Sequence, residues 1–210
     1  MSTRSCIARL TGPNAFKGVY HHWDGYPSAL GATLCKLYRT AFNRDLERML
    51  TILVDDHPAG WSTINNADFT LPAGYQEAKY RKKRNGNDDY SKPIPHGPIC
   101  YCHGARHEEA SPVTEADDCG MEWAYVFDVE RRLLLVHERL SEPSGTHMVG
   151  MFGVDAPGHQ SWAPAAEIDL NGPEPDWTKL TARNFARKRP FPGSTRRKTH
   201  GTARKCHSPA

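Results

Sequence analysis

Two thiols and two imidazoles fall within Cys100-Tyr101-Cys102-His103-Gly104-Ala105-Arg106-His107, and a third thiol, Cys119, follows. Thiolate sulfur and imidazole nitrogen are donors that zinc favours, and four of them around one ion close a tetrahedral structural site. Cys100, Cys102, His107 and Cys119 are the expected ligands, with His103 as the alternate for His107. The Cys-x-Cys spacing is tighter than the two-to-four-residue gap usual in zinc motifs, so spacing alone is no signature. The segment is poor in apolar residues, and a bound zinc would help order it. Glu108, Glu109, Asp117 and Asp118 flank the cluster as solvated charges or as outer partners of the ligands.

A second constellation is His21-His22-Trp23-Asp24-Gly25-Tyr26-Pro27. On a strand, His22 and Asp24 share one face, and His21 and Trp23 share the other. A histidine and a carboxylate at a strand end can bind a metal or act as base and orienter. His21, His22 and Asp24 are therefore catalytic candidates, with His57 (of Asp55-Asp56-His57) and His96 as further donors. The competing reading is structural: Asp24 anchors a turn, Gly25 takes a positive φ, and the aromatic residues build core. There is no phosphate-binding glycine loop, no dinucleotide fingerprint and no Gly-x-Ser-x-Gly elbow.

Charge is divided along the chain. The whole sequence has 27 basic and 24 acidic residues, and residues 181–210 hold nine of the basic ones and none of the acidic. That leaves 18 basic against 24 acidic in residues 1–180, so the body carries −6 and the tail +9. Arg187, Lys188, Arg189, Arg196, Arg197 and Lys198 are the expected nucleic-acid contacts. Trp177, Phe185 and Phe191 lie among these cations, and rings interleaved with cations can stack on bases while the cations meet phosphates. Such binding would be salt-sensitive.

The elements that must position these residues follow from patterning. Residues 6–10 and 17–23 read as strands around the turn Thr11-Gly12-Pro13-Asn14, giving an opening β-hairpin. Pro27 suits a first helical turn, and Ser28 is a cap candidate. Leu30, Leu34, Leu37, Tyr38 and Ala41 form the stripe of one amphipathic helix, and Leu46, Met49, Leu50, Leu53 and Val54 form that of a second, capped by Asn43. Residues 61–76 have no clear period, and residues 79–119 read as a loop-rich insertion holding the Cys/His cluster. Strands are expected over residues 121–128, 131–138, 147–154 and 165–170. Strands and helices cluster rather than alternate, which predicts an α+β fold. In it the hairpin and two helices pack with an antiparallel sheet and a zinc-pinned loop. Residues 1–180 form the single domain, and 181–210 form a basic tail disordered until bound.

The segment Tyr20-His21-His22-Trp23-Asp24-Gly25-Tyr26-Pro27-Ser28-Ala29-Leu30-Gly31 resembles the HWDGYP-type segment of small proteins found in phages, prophages and actinobacterial genomes. There it likewise joins a hairpin to a helix, usually with Gly where this chain has Ala29. Longer members are similar over much of residues 4–180, including His57-Pro58-Ala59-Gly60-Trp61-Ser62 and Cys100-Tyr101-Cys102-His103-Gly104, and the tail lies outside the likeness. The resemblance implies a mobile-element setting and brings no activity with it. It favours a binder or inhibitor of host machinery.

Apolar residues make up 38% of the chain and charged residues 24%, as in a globular protein. No apolar run is long enough to span a membrane, and residues 1–10 lack a signal-peptide core. A cytoplasmic location is therefore expected, where six cysteines serve as thiols or metal ligands rather than disulfides. Three functions follow in order. The first is a non-enzymatic binding protein with a structural zinc, acting on host protein or nucleic acid. The second is a metal-dependent hydrolase or nuclease built on His21, His22 and Asp24. The third is a nucleic-acid binder working through the tail.

Overall fold

The computed structural model describes residues 3–13, 15–71, 97–102, 113–114, 120–139, 162–181 and 183–184. The opening hairpin pairs β1 (Ser5–Gly12) with β2 (Ala15–His21), with a bulge between Leu10 and Gly12. Two helical segments follow. A wide turn, Pro27–Gly31, leads into α1 (Ala32–Arg39), and α2 (Leu46–Leu50) runs on into a second wide turn, Thr51–Asp55. The remaining strands are β3 (Trp61–Thr63), β4 (Ile99–Cys100), β5 (Val113–Thr114), β6 (Trp123–Asp128), β7 (Leu133–Arg139) and β8 (Trp162–Asp169).

The architecture is α+β, built on one mixed sheet of order β4-β3-β2-β1-β6-β7-β8, with β5 paired to the far end of β2. The sequence predicts an antiparallel sheet. The structure joins the hairpin to the later strands through a parallel β1–β6 pair, and β3 meets β2 in parallel as well. Every residue of β6 is buried, the mark of a strand covered on both faces. Ile7, Val19, Tyr125, Phe127, Leu134 and Val136 face the two helical segments and form one core with Leu30, Leu34, Leu50 and Leu53. Cys6, Ala8, Phe16, Ala124, Val126, Leu135 and Trp162 cluster on the opposite face.

Both helical stripes are recovered, with corrections at their ends. Tyr26, not Ser28, precedes the first helical turn, and no side chain caps it. Ala41 is exposed and Phe42 takes its place in the core. Asp45, not Asn43, caps α2 by accepting a hydrogen bond from the Arg48 N–H at 3.0 Å. Asn43 and Arg44 instead reverse the chain in the left-handed region, at φ 48° and 64°. The stretch read as loop over 79–119 contributes two short strands, β4 and β5. The strand expected over 147–154 lies outside the described residues.

Candidate metal centre

The second helical segment ends in the wide turn Thr51–Asp55, where looser hydrogen bonding is accommodated. The Leu53 carbonyl there accepts a hydrogen bond from the indole N–H of Trp61 at 2.8 Å, locking the start of β3 to the end of the helix. Between these anchors the chain makes a tight turn over residues 57–60, closed by the Gly60 N–H donating to the His57 carbonyl at 2.8 Å. Gly60 sits at φ +81°, and a Cβ on it would fall 2.3 Å from the Tyr20 carbonyl oxygen. Only glycine meets both demands.

The turn grips the incoming β4. Trp61 pairs with Cys100, the Tyr101 N–H donates to the Gly60 carbonyl at 3.0 Å, and the Ala59 N–H donates to the Cys102 Sγ at 3.4 Å. This closes three donors onto one point. A ring nitrogen of His57 and the sulfurs of Cys100 and Cys102 all lie within 4.8 Å of one another. In a tetrahedral zinc site, bonds of about 2.3 Å to sulfur and 2.0 Å to nitrogen set donor–donor spacings of roughly 3.5–3.8 Å. The group therefore has the spacing and the chemistry to hold a metal ion. His57 and Cys100 are buried, Cys102 is half-buried, and the His57 ring packs against Trp61 with centroids 4.5 Å apart.

Cys100 and Cys102 are thus placed together, as their sequence proximity predicts. His57 is a correction: the sequence sets it beside His21 and Asp24 as a catalytic donor, and the structure sets it with the cysteines. Forty-three residues separate it from Cys100, so only the pairing of β3 with β4 reveals the relation. The tight-turn pattern His57-Pro58-Ala59-Gly60, placed directly before a strand, is the one local signal that could have pointed to it. His103, His107 and Cys119 lie outside the described residues, as do Arg187, Lys188, Arg189, Arg196, Arg197 and Lys198.

The other constellation does not gather. Trp123, Ser5, His21, Trp61 and Cys100 stand in one register row across β6, β1, β2, β3 and β4. His21 is two strands from Cys100, roughly 10 Å at ordinary strand spacing, with Trp61 between them. It is fully buried, its Nδ1 is 3.4 Å from the Ser5 hydroxyl, and burial, with His22 adding to it, pushes its pKa down to about 3. His22 points to the other side and shares a 2.7 Å hydrogen bond with the Tyr20 hydroxyl through its Nδ1. Asp24 is exposed. Among the described residues, His21, His22 and Asp24 form no group of metal-donor atoms.

The turn itself is built differently from its sequence reading. The left-handed residue is Asp24, at φ 54°, while Gly25 is needed for close approach: a Cβ there would lie 2.4 Å from the Ser5 Oγ. The chain has no significant match among protein-family models, curated proteins or solved structures. Among the described residues no helix is long and apolar enough to cross a membrane.

Proposed function

We propose that this chain is a non-enzymatic binding protein in which His57, Cys100 and Cys102 hold a structural zinc ion. The observation that carries this reading is the convergence of the three donors within 4.8 Å at the point where the turn over residues 57–60 grips β4. Two thiolates and an imidazole are a zinc donor set. Enclosure behind Trp61 suits an ion that ties chain segments together rather than one that must admit substrate. A tetrahedral site takes a fourth ligand, for which the sequence offers His103, His107 and Cys119. The likeness of residues 20–31 to the phage and prophage segment supports a mobile-element accessory factor, acting in the cytoplasm on host nucleic-acid or defence machinery.

The hydrolase reading built on His21, His22 and Asp24 draws no support from the geometry, because His21 is enclosed in the core and Asp24 points to solvent. A nucleic-acid role for the tail keeps one specific observation in its favour, the partition of charge into a body of −6 and a tail of +9. The two readings are compatible, because a zinc-stabilised body can carry a binding tail.

Elemental analysis of the purified protein and of its Cys102→Ser variant tests the proposal. About one zinc per chain in the wild type, lost in the variant along with thermal stability, is the expected result. Wild-type protein that folds cooperatively without metal and gains nothing on zinc addition would sink it.

A further inference from the structure

The described cysteines, Cys6, Cys35, Cys100 and Cys102, all carry thiols rather than disulfides. The first three are buried, whereas Cys102 is half-buried. Among the described residues it is therefore the one cysteine that a small oxidant in solvent can reach. It also has a second thiol at hand. The Cys100 sulfur lies within 4.8 Å of the Cys102 sulfur, and a disulfide needs about 2.05 Å. A change between staggered χ1 wells carries a sulfur roughly 3 Å, which covers that gap. The two cysteines flank a bend at Tyr101. In a straight strand their Cα atoms would stand about 6.6 Å apart, at the upper limit for a disulfide. The backbone at this point is held without help from a metal. The Tyr101 N–H donates to the Gly60 carbonyl at 3.0 Å, and Cys100 pairs with Trp61. The two thiols thus stay neighbours when an ion leaves.

We infer that Cys102 is a site of oxidation by hydroperoxides and Cys100 is its resolving thiol, which makes the metal group a clasp that oxidation opens reversibly. The inference rests on the metal reading above and adds the regulation of that site. In the first step the Cys102 thiolate attacks the terminal oxygen of the hydroperoxide. The O–O bond breaks, an S–O bond forms, and the rest of the peroxide leaves as alkoxide, or as hydroxide from hydrogen peroxide. In the second step the Cys100 thiolate displaces hydroxide from the Cys102 sulfenic acid and the S–S bond forms. Two thiolates have then lost two electrons, and the peroxide has gained them. Neither sulfur keeps the negative charge that binds zinc, so His57 is left as the one donor of the three. An accessible cysteine beside a resolving thiol is the arrangement that diverts sulfenic acid into a disulfide before it reaches sulfinic acid. A dithiol reductant returns both thiols, and the site can refill.

The test takes the full wild-type chain, measures its zinc, and then adds hydrogen peroxide with a chromophoric chelator present. Trypsin leaves Cys100 and Cys102 as the only cysteines of peptide 85–106, because Pro93 blocks cleavage after Lys92. The mass of that peptide therefore reports this pair alone. About one zinc per chain should be present at the start. It should be released at the rate at which peptide 85–106 loses two hydrogens, and rebound after dithiothreitol and zinc are supplied. Zinc that is present at the start and retained, with both thiols intact, would overturn this inference and leave the metal reading standing. No zinc at the start would sink the metal reading and the clasp with it. Zinc released with a disulfide to Cys119, or with sulfinic acid on Cys102, would also overturn the inference, because Cys100 would then not be the resolving thiol.

Discussion

The Cys102 sulfur accepts a hydrogen bond from the Ala59 N–H at 3.4 Å, which places it against the turn that begins at His57. A backbone N–H aimed at this sulfur would share the negative charge left there when the group holds a metal ion. The contact therefore joins the two halves of the donor group. It separates His57 from the other histidines the sequence offers. His57→Ala should remove zinc, leaving well under one ion per chain, whereas His22→Asn should keep it. The loss should lower the melting temperature by about 3 °C or more, corresponding to at least ~1 kcal/mol for a domain of this size. Equal zinc content in both variants would show that the donor set does not include His57.

Gly60 carries the geometry of that turn. Its φ of +81° is strained for any residue with a Cβ, and the Cβ would press on the Tyr20 carbonyl at 2.3 Å. Gly60→Ala should therefore destabilise the protein by about 2 kcal/mol or more, through backbone strain and displacement of the turn from β2. Because Tyr101 and Cys102 are held by residues 59 and 60, zinc affinity should fall with stability. Urea unfolding and competition with a chromophoric chelator read the two effects. A variant as stable as wild type would mean that β2 yields easily at Tyr20.

Periodicity exposed what depends on repeated burial. The stripe from Leu46 to Val54 and the apolar run of β6 were legible because each signal is spread over many residues. The hairpin was legible from its turn residues. The parallel β1–β6 join was not, because register between distant strands leaves no local trace. The same holds for the site. Cys100 and Cys102 are close in sequence and were found, whereas His57 reaches them only through strand pairing. His21 misled because its type suggests chemistry, while its position in the row between Ser5 and Trp61 buries it.

Two buried histidines should set the acid limit of the fold. Burial pushes both His21 and His137 down to about 3 from an ordinary value near 6.5. A folded pKa below the unfolded one means that the unfolded chain takes up protons first. Their neutral burial is thus tolerated without penalty above about pH 6.5, and stability is lost as pH falls from there toward 3. Each histidine contributes a slope of up to about 1.4 kcal/mol per pH unit within that window. His137→Leu, which cannot take up a proton, should flatten the fall between pH 6.5 and 5 by about half. Urea unfolding at several pH values, with zinc content followed in parallel, measures it. An unchanged slope would place the acid sensitivity elsewhere, most simply in loss of metal.

The contact of Gly31 with Trp177 gives a last prediction, one in which two effects oppose. Replacing a helical glycine with alanine normally stabilises by up to about 1 kcal/mol. Here the new Cβ would lie 2.6 Å from Trp177 Cζ3 and 3.2 Å from Tyr125 Cε1, so one ring has to move. Tyr125 is fully buried and tied by its hydroxyl to Gly25, whereas Trp177 is half-buried on a single turn of 3-10 helix, Trp177–Lys179. Trp177 should therefore give way, taking with it the hydrogen bond from its indole to Glu174, whose carboxylate lies 3.7 Å from Arg39. Local opening of this strap need not unfold the sheet. Gly31→Ala should leave global unfolding within about 1 kcal/mol of wild type while speeding tryptic cleavage at Lys179 severalfold. Cleavage at the wild-type rate, with a raised melting temperature, would mean that the indole shifts without releasing the strap.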